Sequence, residues 1–150
     1  MYYCIKEGLR IDTPVDGSLY YEALDAVTIC GVPIGKGEVM AMNTLYPHYN
    51  PDYFEKPFEY IPERFDPQSE YFFKPGTKEP RDPKCYVPFG VGVRNCPGQT
   101  LAKLEIKVLL SRFITRIEYE LDEEISKNPD MKFNLIQSGV LKGKITSKKG

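Results

Sequence analysis

The chain has 150 residues, a formal net charge of -1 at neutral pH and a pI near 5.9. That balance gives no electrostatic case for a nucleic-acid partner, and 27% charged with 41% hydrophobic residues describes a globular chain rather than a disordered one. No apolar run approaches the roughly eighteen residues needed to cross a bilayer, and the opening MYYCIKEGLR lacks the apolar core of a secretory signal.

Along the chain, YYCIKEGLRI carries an apolar face through Tyr2, Ile5 and Leu9 and reads as a helix without an N-cap, since Met1 and Tyr2 offer no capping oxygen. Glu7 and Arg10 stand three apart, hence side by side on that helix. DTPVDG stops it, because proline disfavours helical geometry in the residue before it. From Ala26 to Asn43, β-leaning runs at Val27–Cys30 and Glu38–Met42 are broken by glycine and proline, which predicts a hairpin leading into a further short strand.

The stretch from Tyr46 to Lys84 is dense in proline and aromatics. A long loop with so many aromatic rings predicts an ordered meander packed on a surface. From Gln99 to Ile117 a helix pattern returns. Leu101, Leu104, Val108 and Leu109 form one stripe, which Ile106, Leu110, Phe113, Ile114 and Ile117 widen, so this helix is expected to be buried on most sides. KNPD breaks the chain, MKFNLI and GVLKGKITSK predict a terminal strand pair, and the basic end from Lys142 to Lys149 reads as solvated. The fold class expected is α+β.

The four cysteines, Cys4, Cys30, Cys85 and Cys96, are scattered and never form CxxC, so neither a disulfide framework nor a zinc site is expected. Cys4, Cys30 and Cys85 read as small buried apolar residues. Cys96 differs. In PFGVGVRNCPGQT it is framed by Gly90, Gly92 and Gly98, by Phe89 and by Arg94, directly ahead of the long helix. The helix N-terminus favours a thiolate there, and the N–H groups of Gly98 and Gln99 are candidates to bond the sulfur. The glycines allow unusual φ angles and close approach to a flat ligand. Phe89 can cover an apolar ring, Arg94 can pair with a carboxylate at two points, and Pro97 suits a helix start. Such a loop fits a thiolate that holds a large, flat, partly anionic group; the bland alternatives are an inert cysteine and a surface arginine.

FGVGVRNCPG resembles the F-x-x-G-x-R-x-C-x-G signature of the cytochrome P450 family, through Phe89, Gly92, Arg94, Cys96 and Gly98. Five fixed letters recur by chance roughly once in several hundred thousand to a few million windows. EGLR resembles the family's E-x-x-R pair, at Glu7 and Arg10, and PERF its meander motif, whose arginine, here Arg64, closes a Glu–Arg–Arg network. GVPIGKGEVM resembles the intervening hairpin and strand. The resemblance covers essentially the whole chain, and implies that residues 1–150 are the C-terminal, haem-binding portion of a single mainly α P450 domain.

Its further implications are a haem b cofactor with Cys96 as axial iron ligand, Arg94 as propionate partner, Phe89 beside the sulfur and Gly98 as the close-approach residue. It also implies electrons from NADPH through a reductase or ferredoxin, dioxygen as oxidant and an apolar small-molecule substrate. A parent in the endoplasmic reticulum membrane would be anchored by an upstream segment. No catalytic residue is expected within the chain, because the family's distal helix lies upstream of Met1. Glu7, Arg10 and Arg64 are expected to support the meander and haem incorporation. Where many members place a propionate-binding arginine, this chain has Tyr20 or Tyr21.

Lys84, Lys103, Lys107 and Arg112 read either as a solvated face or, by resemblance, as a basic surface for an acidic electron donor. His48 reads as a surface or packed histidine rather than a ligand. Two other functions share this loop: a haem-thiolate isomerase or dehydratase that takes no external electrons, and a truncated, non-catalytic fragment.

Overall fold

Helix α1 spans Tyr2–Ile11 in the computed structural model, which describes residues 1–15, 20–122, 130–132, 138–140 and 143–148. No side chain caps its start, as expected. Its end is closed twice: the Asp12 N–H donates to the Gly8 carbonyl (2.8 Å) and the Thr13 hydroxyl to the Leu9 carbonyl (2.7 Å), with Pro14 next. The face it buries is mixed, comprising Glu7, Leu9 and Arg10.

Four short strands follow. β1 (Tyr20–Glu22) pairs antiparallel with β4 (Val39–Ala41), and β2 (Val27–Ile29) with β3 (Val32–Ile34). The β2–β3 turn is Cys30-Gly31, with both φ angles positive, at 50° and 82°. That is the backbone a two-residue hairpin requires, and it explains the glycine. The expected hairpin is therefore present. The expected further strand is β4, but it pairs back onto β1, which the sequence pattern did not predict; three residues are too short to display alternation.

The meander carries local structure of its own. Helix α2 (Leu45–Tyr49) starts on Asn43, whose side-chain oxygen accepts the Leu45 and Tyr46 N–H groups, both at 3.0 Å. Single 3₁₀ turns follow at Pro62–Phe65, Glu70–Phe72 and Pro83–Cys85. Ser69 and Asp82 cap the latter two, and proline opens the first and third, where its missing N–H costs nothing.

Helix α3 (Gln99–Arg116) runs straight into β5 (Ile117–Leu121), which pairs with β8 (Gly143–Ser147), while β6 (Asp130–Lys132) pairs with β7 (Ser138–Val140). The terminal pair expected from MKFNLI and GVLKGKITSK thus divides: one partner of β8 lies directly after α3. Gly143 is required at its position, since a Cβ there would lie 2.4 Å from the Glu120 carbonyl oxygen and 2.7 Å from the Tyr119 ring. Residues 127–129 of KNPD and 133–136 of MKFNLI lie outside the described residues. The basic end is not merely solvated, because Lys148 donates its backbone N–H to Arg116 and its ammonium to the Ile114 carbonyl, each at 2.9 Å.

Two expectations about burial are corrected. Leu101, Leu104, Val108 and Leu109 of α3 are all at least half exposed, so no described part of this chain covers that stripe. Cys4 and Cys30 are exposed, one on α1 and one at a hairpin tip; only Cys85 is buried. The buried interior centres instead on Phe54, at 0% exposure, beneath three guanidiniums: Arg10 at 5.1 Å, Arg64 at 5.9 Å and Arg81 at 4.8 Å from the ring centroid.

Replacing Phe54 by alanine removes both a filled volume and three cation–ring contacts. A loss of about 3–5 kcal/mol of unfolding free energy is expected, measured from the denaturant midpoint. A loss below about 1 kcal/mol would mean that the guanidiniums hold without the ring.

Candidate functional site

Glu7, Arg10 and Arg64 converge in a buried cluster, each fully shielded from solvent. Glu7 Oε2 accepts from Arg10 Nε (2.9 Å), and its Oε1 accepts from Arg10 Nη2 (2.8 Å), Arg64 Nε (3.1 Å) and the Ile61 N–H (2.9 Å). The first pair is a two-point fork, the strongest geometry for a carboxylate and guanidinium. One carboxylate cannot neutralise two guanidiniums, and backbone carbonyls take the remaining donors. Arg10 donates to the carbonyls of His48 (2.7 Å), Pro57 (2.7 Å) and Glu59 (3.1 Å). Arg64 donates to those of Glu55, Lys56 (2.7 Å) and Glu59 (3.4 Å). Burial pulls the Arg64 pKa down, with Glu7 pushing it back up.

Arg81 extends this cluster and was not singled out in the sequence. It donates to the carbonyls of Tyr71, Phe73 and Arg64, and its own pKa is lowered by burial. Its only sequence signal is its place in a proline-rich stretch. Beside it, burial raises the Cys85 thiol pKa, which keeps that sulfur protonated and inert.

The cysteine loop rises from Val87. The Gly90 N–H donates to the Val87 carbonyl (2.9 Å), the Asn95 N–H to Gly92 (3.2 Å), and the Cys96 N–H to the Phe89 carbonyl (2.8 Å), which closes the loop on itself. Gly90 and Gly92 both sit at φ 75°, in the region glycine favours, with a 3₁₀ turn over Gly92–Arg94 between them and the cysteine. Gly98 does not share this feature: its φ is -82°, and it acts as the N-cap of α3. Pro97 precedes that cap instead of lying in the first helical turn. The Gln99 N–H donates to the Cys96 carbonyl (3.3 Å), not to the sulfur, because it closes the turn into α3. A Cβ on Gly98 would meet Cys96 Sγ at 3.8 Å, an ordinary van der Waals contact, so Gly98 lies directly beside the sulfur.

Cys96 is a free, exposed thiol, and Arg94 is exposed with no ion pair among the described residues. Val91 and Val93 are also exposed, Val93 completely. A sulfur, an unpaired guanidinium and two apolar side chains on one loop suit a flat apolar ligand with an anionic edge, which is the chemistry of haem. The two valines were missed in the sequence because exposure, not residue type, marks them. Phe89 is half-buried, with the Lys103 ammonium 5.2 Å from its centroid, and Lys107 lies 5.5 Å from the Tyr2 ring. Lys103 is half-buried and Lys107 exposed, each with its ammonium near a ring. Tyr20 and Tyr21 are exposed on β1.

His48, set aside as a packed or surface residue, proves fully buried. Its Nε2 accepts the Val87 N–H (2.9 Å), and Nδ1 lies 3.1 Å from the Thr13 hydroxyl. Desolvation, then the nearby Arg10 charge, lower its pKa to about 4.

With the geometry in place, the comparisons agree. The Cytochrome P450 family model matches residues 1–146, and the chain belongs to that family. It is 37% identical to cytochrome P450 4F4 of Rattus norvegicus over 133 residues, 89% of this chain and 23% of the rat protein. It is 36% identical to a beta-amyrin 28-monooxygenase of Barbarea vulgaris over 114 residues, 76% of this chain and 22% of that protein. A solved structure, retinoic acid bound cyanobacterial CYP120A1, superposes with a TM-score of 0.80 at 27% identity, covering 98% of this chain and 32% of that one. The chain thus spans roughly a quarter to a third of these relatives. Among the described residues no helix is long and apolar enough to cross a membrane.

A histidine held neutral in the fold, but titrating near 6.5 when unfolded, gives the unfolded state the extra proton as pH falls. Its contribution to stability is intact above pH 6.5 and is lost progressively down to about pH 4. The wild type should lose roughly 3 kcal/mol more than His48→Gln across that window, read from unfolding midpoints at each pH. Parallel curves for the two proteins would show that His48 does not titrate this way.

Proposed function

We propose that this chain is the C-terminal, haem-binding portion of a P450 monooxygenase that uses dioxygen and reductase-supplied electrons to oxidise an apolar organic substrate. The observation that carries the reading is the exposed Cys96 just ahead of α3, two residues after Arg94, which has no ion pair among the described residues, in a chain whose family is established. Haem b, held through that sulfur, would supply the oxygen and electron chemistry.

The chain's own residues bind and orient. Cys96 would be the metal ligand, presented by the turn that leads into α3. Arg94 takes a carboxylate of the haem edge at two points. Gly92 gives the loop its turn at positive φ, Gly98 sets no side chain beside the sulfur, and Phe89 would cover the haem ring. The Glu7–Arg10–Arg64 cluster does no chemistry; it holds the meander against α1.

NADPH enters only through the electron-transfer partner, a reductase or ferredoxin docking on the proximal side. The names of two relatives, one acting on beta-amyrin and one binding retinoic acid, support an apolar substrate. An endoplasmic reticulum parent belongs to the same reading and rests on the family resemblance alone.

The test is Cys96→Ala in the protein as expressed. Because the side chain is exposed, unfolding should shift by no more than about 0.5 kcal/mol, while the thiolate-type ferrous–CO band disappears. Retention of that band in the mutant would remove the central claim. Arg94→Ala should keep the band yet speed haem loss to an apoglobin scavenger by about tenfold to a hundredfold, the cost of one charge-assisted bond. Unchanged loss rates would exclude Arg94 as the carboxylate partner.

A further inference from the structure

Building on the haem-thiolate reading, we propose that His48 is a positioning residue for Cys96. Its buried imidazole, held as one tautomer between Thr13 and Val87, sets the height of the cysteine loop above helix α1 and so governs how the sulfur meets iron.

The tautomer follows from the donors. A backbone N–H can only donate, so His48 Nε2, 2.9 Å from the Val87 nitrogen, must accept. The proton of the neutral ring then sits on Nδ1 and is donated to the Thr13 hydroxyl at 3.1 Å, whose own proton goes to the Leu9 carbonyl at 2.7 Å. Donation runs one way, from Val87 through His48 and Thr13 to Leu9. It ends on a carbonyl in the last turn of α1, where partial negative charge accumulates.

His48 itself is not free to move. Arg10 donates to its carbonyl at 2.7 Å, which ties its backbone to the charged cluster. The Tyr86 ring packs beside the imidazole at 5.7 Å, and the Tyr86 hydroxyl donates to the Lys6 carbonyl at 3.1 Å. Beyond Val87 the path continues through bonds already described: Gly90 N–H to the Val87 carbonyl, and Cys96 N–H to the Phe89 carbonyl. The imidazole is therefore the joint between a rigid charged cluster and the loop that presents the sulfur.

The ring also suits the task chemically. It places one acceptor and one donor at fixed separation on a rigid plane, with no net charge to bury. The acceptor matters most, because the Val87 N–H is partly buried and an unmade bond there leaves it unsatisfied. Glutamine reaches as far as Nε2 and offers both an acceptor and a donor. Asparagine offers the same groups but is one carbon shorter. Leucine fills the space and offers neither.

The experiment uses the holoprotein and reads the ratio of thiolate-type to thiol-type ferrous–CO bands, together with the ferric–ferrous potential, at equal haem content. His48→Leu and His48→Asn should show a several-fold fall in that ratio and a displaced potential, and His48→Gln should stay near wild type. If His48→Leu fails to retain haem, the Asn and Gln variants decide, since they differ chiefly in reach. Wild-type ratio and potential in both of those, with lowered melting, would overturn the proposal and leave His48 as packing alone. Absence of a thiolate-type band in the wild type itself would overturn the haem-thiolate reading beneath it, and this inference with it.

Discussion

One carboxylate decides this structure. Among the described residues, Glu7 is the only acid in a buried cluster where the guanidiniums of Arg10, Arg64 and Arg81 gather around the Phe54 ring. Taking charges out of water is expensive, and a buried pair is sustained only when nearly every donor finds an acceptor. Here that condition is met: among the described residues no buried side-chain nitrogen or oxygen lacks a partner. The same condition makes the cluster unforgiving, because losing one member strands the others in a dry site, at about 3–5 kcal/mol.

The cluster governs the cysteine loop without touching it. Arg10 fixes the His48 backbone, and His48 takes up the Val87 N–H at the root of the loop. Val87 and Phe89 then accept from Gly90 and Cys96. Few apolar contacts secure the loop itself: every residue from Gly90 to Pro97 is exposed. Its geometry rests on these few hydrogen bonds and on two glycines at positive φ. A loop of this kind lies at the low end of local stability, which suits a segment that must accept a large ligand.

What the sequence disclosed follows from how far each signal reaches. Glu7 with Arg10, PERF and the cysteine loop were legible because each is a local pattern of chemically specific residues. The β2–β3 hairpin was legible because its breaks and β-leaning runs lie within a dozen residues. β1, β5 and the joining of β5 to β8 were not, because pairing between residues as far apart as Tyr20 and Ala41 or Ile117 and Ser147 leaves no trace in a three- or five-residue run. His48 and Arg81 were passed over for a related reason. Their partners are backbone groups far along the chain, and a backbone N–H or carbonyl has no letter. The α3 stripe misled in the opposite sense: its pattern specifies an apolar surface, but whether that surface is covered depends on segments beyond the described residues of this chain.

The cluster is also the physical answer to the meander. A stretch rich in proline and 3₁₀ turns cannot join a ladder, so its carbonyls must find donors elsewhere or face water. A guanidinium brings five N–H groups on one rigid plane. Three of them, converging on Phe54, reach the carbonyls of His48, Glu55, Lys56, Pro57, Glu59, Arg64, Tyr71 and Phe73. In effect the arginines do for the meander what a neighbouring strand does for a sheet. Lysine would not serve, since its three donors diverge from a single point and its ammonium is more strongly hydrated. The interior of this chain is polar for that reason: its ordered loop is held from inside by charge, and Glu7 allows that charge to stay.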